Sequence, residues 1–338
     1  MKRNFKLLLL MVLCVVLTAC SQPNNNDTDK PETTTTENKT ETKETNEPAE
    51  KPAEKTEYTL IMLPNDGGQI NPQTEAIIEE MNVALEPFNA EVNYQSADDY
   101  AVVSEAILSG TAQITTGSGA TYVQARMEDP DVIPLFVPAP NGNLDEAGYT
   151  SYLATNIANK GEYEGLSEEE ALKKLKGKSF SFVSATSTSG RLVPTQTLWE
   201  TFGPNGTNDV QNRTDIFEKT ESEGGIFSEV QFGGSHPANV ELLTNNRVDA
   251  AAFCCEYADD FKDDLYIISQ RQVSGDPTWA NKKYMKQEHI DAIVKHFEEL
   301  TPENAKATKI FAPEGEEAGE GKESVSYTHL RAHETPEH

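Results

Sequence analysis

The chain has 338 residues, with 28 Lys and Arg against 56 Asp and Glu and a formal net charge of -28 at pH 7. So acidic a surface excludes bulk electrostatic binding to nucleic-acid phosphates. At roughly 100 to 200 residues per domain the length allows two domains, and an apolar content of 36% supports a core in each while being low for a membrane bundle.

Lys2, Arg3 and Lys6 precede an apolar run from Leu7 to Leu17, too short to cross a bilayer as a mature helix, which reads as a secretion signal. The run closes on Leu17, Thr18, Ala19 and Cys20, a string that resembles the bacterial lipobox. Cleavage after residue 19 and acylation of Cys20 would leave the protein lipid-anchored outside the cytoplasmic membrane. An ordinary signal peptide with a chance cysteine is the plainer alternative. Residues 20–57 then form a tether: from residue 21 they hold no aromatic, Val, Ile, Leu or Met, so they cannot bury enough apolar surface to offset chain entropy.

From Tyr58 short apolar runs alternate with amphipathic stretches. YTLIMLP reads as a strand, PQTEAIIEEMNVALEPF as a helix, AEVNYQSA as a strand and DYAVVSEAILSG as a helix. The alternation continues through AQITTGS, GATYVQARME, VIPLFVP and GYTSYLATN, then the helix EEEALKKLKG, the strand SFSFVS and a helix from about Arg191 to Phe202. EVQFGG, PANVELLTNN, VDAAAFC, LYIISQ and the helix KQEHIDAIVKHFEEL complete it. This order predicts an α/β fold with mostly parallel sheets and helices on both faces.

Cys254 and Cys255 are adjacent. Neighbours on a strand point to opposite faces, so two separate thiols are expected rather than a disulfide, and neither has zinc-site spacing. From Val325 the string VSYTHLRAHETPEH breaks with the acidic, Lys-bearing style of the chain and resembles translated adapter read-through, so residues 325–338 are set apart as a non-native tail. His329, His333 and His338 within it lack the spacing of metal ligands. No metal site and no cofactor is expected.

In open α/β sheets ligands bind beyond the carboxyl ends of strands, where helix N-termini present unpaired N–H groups. Three strand-to-helix junctions qualify. At SFVSATSTSGRLVP, the hydroxyls of Ser187, Thr188 and Ser189 and nearby amides can form an anion cradle, with Pro194 in the first helical turn; a simple Ser/Thr cap is equally compatible. At VQFGGSHPANVELL, His236 can donate to an oxyanion or serve as a solvent-facing capping residue. The third, ITTGSGATYVQA, reads as a turn before a capped helix.

TSTSGRLVP after a strand, SHPANVELLTNNRVDAA, ADDYAVVSEAILSG, GYTSYLATN and SGDPTW occur in an order that resembles the phosphate/phosphite/phosphonate substrate-binding proteins of ABC importers, over about Tyr58 to Phe311. The resemblance implies a type II periplasmic-binding-protein fold, two α/β lobes joined by two crossing hinge segments, with residues 58–152 plus 270–324 in lobe 1 and 153–269 in lobe 2. It further implies that Ser187, Thr188 and Ser189 form the phosphonyl-binding loop, that His236 contacts the oxyanion, that Tyr100 and Tyr149 face the ligand, and that Glu256 and Asp276 line the cleft. Serine stands directly before His236 where the family pattern has glycine. The alternatives are that Tyr100 is a core aromatic on its helix face and Tyr149 a partly buried strand residue, and, without the resemblance, that Glu256 and Asp276 are solvated surface acids.

The function so implied is a monomeric, non-enzymatic receptor that captures a phosphorus oxyanion and delivers it to an ABC permease in the membrane. A ligand-presenting sensory lipoprotein is the alternative. A phosphoester-acting enzyme on the same scaffold is a further one, against which stands the lack of HExxH, GxSxG or phosphate-loop strings in the globule.

Overall fold

The computed structural model describes residues 54–63, 70–140, 148–255 and 257–311, and the backbone of 325–328. The expected signal peptide, Cys20, residues 21–53 of the expected tether, Glu256 and the tail beyond Thr328 lie outside the described residues, whereas Thr56 and Glu57, assigned to the tether on sequence, belong to the first strand. In chain order the elements are β1 (Thr56–Met62), α1 (Pro72–Leu85), β2 (Ala90–Ser96), α2 (Tyr100–Ser109), β3 (Ile114–Thr116), α3 (Gly119–Glu128) and β4 (Val132–Pro140). Next come β5 (Gly148–Asn156), α4 (Glu168–Lys173), β6 (Ser179–Phe182), α5 (Val193–Phe202), α6 (Asp215–Glu218), β7 (Glu229–Phe232) and α7 (His236–Thr244). The chain continues with β8 (Ala250–Cys254), α8 (Tyr257–Asp260), β9 (Leu265–Ser274), β10 (Thr278–Asn281), α9 (Gln287–Glu298) and β11 (Val325–Thr328).

Side-chain caps start the helices where the sequence places short polar residues. Asn71 accepts from Thr74 N–H ahead of α1, Asp99 from Val102 N–H ahead of α2, and Ser167 forms a reciprocal capping box with Glu170 at α4. α4 is shorter than its sequence pattern, because the chain turns at Lys174 and reaches Gly177 in the left-handed region at φ 76°.

Two sheets form, in the strand orders β11-β4-β10-β3-β1-β2 and β7-β6-β8-β5-β9. Each holds a parallel trio, β2-β1-β3 in the first and β7-β6-β8 in the second. The other pairings are antiparallel, so the sheets are mixed rather than mostly parallel. The strands that flank the crossings between sheets explain this: β5 runs against β8 and β9, and β10 runs against β3 and β4. β5 and β9 pair along their whole length, from Gly148 opposite Ser274 to Asn156 opposite Leu265. Lobe boundaries at 152/153 and 269/270 would cut both strands, whereas all of β5 and β9 belongs to the second sheet and β4 and β10 belong to the first. The backbone of Val325–Thr328, set apart on sequence, pairs along the outer edge of β4.

Alternation along each strand builds a core on both faces. In β1, Tyr58 and Leu60 pack with Met81 of α1 and Ile293 and Phe297 of α9, whereas Ile61 packs with Val103 and Ile107 of α2. In β8, Ala250 and Ala252 join Leu198 and Phe202 of α5, whereas Ala251 and Phe253 join Val240 and Leu243 of α7. At about 1.5–3 kcal/mol for each large side chain fully buried, these four clusters hold the strand ends rigidly enough to aim side chains.

Candidate functional site

Because β7, β6 and β8 are parallel neighbours, their carboxyl ends lie side by side and deliver three loops to one edge of the second sheet. β7 leads to Ser235 and His236, β6 to Ser187, Thr188 and Ser189, and β8 to Cys254 and Cys255. The first sheet faces them with the ends of β2, β1 and β3, which lead to Tyr100, to Leu63, and to Gly117 and Ser118. A cavity of about 380 Å³ lies between the two sets. Tyr100, Tyr149, Ser187, Thr188, Ser189, His236 and Asp276 all line it, so every described residue singled out on sequence is brought to one place.

The cradle and the cap are the same object. Ser187 is the N-cap of a widened first turn, Thr188–Leu192, that runs into α5, and its Oγ accepts from Gly190 N–H at 3.0 Å. The N–H groups of Thr188 and Ser189 open this helix and so have no acceptor within it. Gly190 is required by close approach: a Cβ there would come within 2.3 Å of Val183 Cβ. β5 props the loop from behind, where Ser151 Oγ donates to the Ser189 carbonyl at 2.7 Å.

His236 opens α7, and the serine standing in the family's glycine position serves that helix directly, since Ser235 Oγ accepts from Ala238 N–H and caps it. The helix is pinned by Asn239, fully buried, whose amide group accepts from Ser181 Oγ at 2.7 Å and donates to the carbonyls of Ser181 and Ala252 at 3.2 and 2.6 Å. Burial lowers the His236 pKa from 6.5 to about 4, so the ring is neutral near pH 7. Its Nε2 lies 3.2 Å from Tyr100 OH, while Nδ1 is buried with no hydrogen-bond partner. An unpaired buried ring nitrogen is costly for a residue serving only as a cap.

Tyr100 reaches across from the first sheet, its hydroxyl also donating to Ser187 Oγ at 3.5 Å. Burial pushes its pKa up to about 12, partly offset by the Ser187 contact and reinforced by Asp276, so it stays protonated. Asp276 lies in the returning crossing segment and accepts from Tyr149 OH at 3.2 Å. Burial raises its pKa from 3.8 to about 6, against the lowering effect of hydrogen bonds from Tyr149 and the Gly119 N–H. The Tyr149 pKa is raised too, first by burial and then by the Asp276 charge.

The junction that sequence read as a plain turn is the second half of the site. Gly117, at φ 134°, lets the chain double back so that Ser118 caps α3. Ser118 Oγ and Thr121 Oγ1 donate to the Thr186 carbonyl at 2.8 and 3.1 Å, and Ala120 N–H donates to Thr188 Oγ1 at 2.9 Å. Thr188 thus joins the lobes as well as lining the cavity. Neither these contacts nor Asn239 carry a sequence signal beyond a capping serine and a polar residue three positions after His236.

The cysteines are not two separate thiols: Cys254 and Cys255 form a disulfide. Strand alternation ends at Cys254, and Cys255 turns into the left-handed region at φ 67°, which brings the side chains together instead of to opposite faces. Both line the cavity. Among the described residues no group of His, Cys, Asp and Glu side chains is placed to hold a metal ion.

Residues 61–318 match the family described as ABC transporter, phosphonate, periplasmic substrate-binding protein. No curated protein matches the chain. Among solved structures, PhnD1 from Prochlorococcus marinus in complex with methylphosphonate is 18% identical with a TM-score of 0.56, over 76% of this chain and 89% of that one. A binding protein component of an ABC phosphonate transporter from Pseudomonas aeruginosa is also 18% identical with a TM-score of 0.56, over 81% and 82%. XAC2383 from Xanthomonas citri bound to ATP is 14% identical with a TM-score of 0.55, over 82% and 92%. These likenesses establish the two-lobed binding-protein fold.

Proposed function

The chain belongs to the ABC transporter phosphonate periplasmic substrate-binding protein family, and from that premise we propose that it captures a phosphonate, phosphite or phosphate oxyanion between its lobes and hands it to the permease. Membership makes it an extracytoplasmic transport component rather than an enzyme. Acylation of Cys20 would hold it at the membrane, with the residues from 21 up to the start of β1 as the tether, and it would act as a monomer.

One observation carries the ligand class: Ser187, Thr188, Ser189, His236 and Tyr100, from two lobes and three helix N-termini, line one cavity. Hydroxyls, open amides and helix dipoles replace the hydration of an oxyanion without a net positive charge, which reconciles an anion site with an acidic chain. Surface charges are screened beyond roughly 8 to 10 Å and do not reach it.

The test is a thermal-shift and calorimetry panel of phosphate, phosphite, methylphosphonate and 2-aminoethylphosphonate, run on the protein and on a Ser187→Ala/Thr188→Ala/Ser189→Ala variant. At least one anion should raise the melting temperature, and raise it further with the logarithm of its free concentration above Kd, and the variant should lose at least a hundredfold in affinity. Equal affinity in the variant would remove the cradle from the site.

A further inference from the structure

We propose that the Cys254–Cys255 disulfide is the wall against which the ligand's carbon substituent packs, selecting organophosphonates with an apolar chain of several carbons over phosphate, phosphite and methylphosphonate. This rests on the phosphonate reading above and names the class of ligand within it.

Topology sets the disulfide beside the cradle. Cys254 ends β8, and β8 is the parallel neighbour of β6, whose end leads to Ser187–Ser189. A ligand held there by its phosphonyl oxygens therefore shares one cavity with the disulfide, since Ser187, Thr188, Ser189, Cys254 and Cys255 all line it. A disulfide carries neither charge nor S–H donor, so this part of the wall is apolar. Met62, Ile77, Val103 and Trp279 line the same cavity from the other lobe.

Volume argues the same way. Phosphate and methylphosphonate have five heavy atoms each, and even at the ~30 Å³ that a water molecule takes in the liquid they fill only ~150 Å³. The cavity measures about 380 Å³. Asp276, the described carboxylate of the cavity lining, is engaged by protein donors, accepting from Tyr149 OH and Gly119 N–H. The pairing also suits the compartment, because disulfides persist outside the cytoplasm.

The disulfide holds the turn as well as lining the site. Cys255 N–H donates to the Thr150 carbonyl at 3.3 Å while its backbone sits at φ 67°. Reduction by a dithiol passes two electrons and two protons to the S–S bond. Two thiols form, the reagent closes to its own cyclic disulfide, and the wall becomes two mobile side chains.

The experiment compares methylphosphonate with butylphosphonate by calorimetry. It uses the oxidised protein, the same protein after dithiothreitol with the thiols titrated, and a Cys254→Ser/Cys255→Ser variant whose fold is checked by circular dichroism. At roughly fourfold per buried methylene, the oxidised protein should favour butylphosphonate by well over tenfold, and the preference should drop at least threefold on reduction and in the variant. A preference under tenfold with the disulfide intact, or one that confirmed reduction leaves unchanged, overturns the inference while leaving the oxyanion site standing. Failure of both compounds and of phosphate to bind overturns the function proposed above and this inference with it.

Discussion

The hydroxyl of Tyr100, in the first turn of α2, lies 3.2 Å from Nε2 of His236, in the first turn of α7, so one contact ties the amino ends of helices from opposite lobes. The same hydroxyl reaches Ser187 Oγ. Replacing Tyr100 by Phe keeps the buried ring and removes these two contacts. A net hydrogen bond is worth about 1 kcal/mol, somewhat more beside an anion, so anion affinity should fall about tenfold. Calorimetry showing less than a twofold change would mean that the hydroxyl serves packing alone.

Thr188 is expected to act on closure. Its Oγ1 accepts from Ala120 N–H at 2.9 Å and lies 3.1 Å from Ser118 Oγ. Thr188→Val leaves the shape and deletes both contacts, which should shift the lobes towards separation and speed ligand release about tenfold, with the on-rate little altered. Stopped-flow dissociation gives the answer; an unchanged release rate sinks the idea.

Two buried groups pull the pH dependence of stability in opposite directions. His236 drops from 6.5 to about 4, so between those values the unfolded chain takes up a proton that the folded chain refuses, and stability from this group is lost as pH falls. Asp276 rises from 3.8 to about 6, so the folded chain keeps a proton that the unfolded chain has released, and stability from this group is lost as pH rises. Each masks the other between pH 4 and 6. His236→Gln should therefore show stability falling more steeply with rising pH in that window than wild type, and Asp276→Asn the reverse. Urea midpoints at pH 4.5 and 6 measure this, and parallel profiles for all three proteins would contradict it.

Asn239 should matter for stability more than its distance from the ligand suggests. Asn239→Leu leaves the hydroxyl of Ser181 and the carbonyls of Ser181 and Ala252 without their amide partner at a fully buried position. A loss of about 3 kcal/mol is expected, with anion affinity falling because α7 and His236 shift. A loss below about 1 kcal/mol in urea unfolding would show that the clamp is dispensable.

Much of this site is legible in sequence because strand-to-helix junctions are local. Ser187–Ser189 and His236 follow strands and precede helices, so pattern and resemblance both point to them, whereas Tyr100 is reached through the resemblance alone. What escapes depends on which segments meet. The interlobe bonds of Ser118 and Thr121 to Thr186, and the grip of Asn239 on two strands, exist only once the sheets are assembled. The cysteine pair is misread for a different reason: alternation assumes the strand continues, whereas the chain leaves it at Cys255. The lobe boundaries slip because β5 and β9 look like any other strands, and only their pairing shows that the crossings lie outside them.

Three neighbouring strands of the second sheet each end in a different tool: an imidazole, a row of alcohols, a sulfur bridge. The tools hang on separate loops from a shared rail, but Tyr100 binds two of them and Asn239 holds the strands beneath them, so a change at one tip is felt at its neighbours.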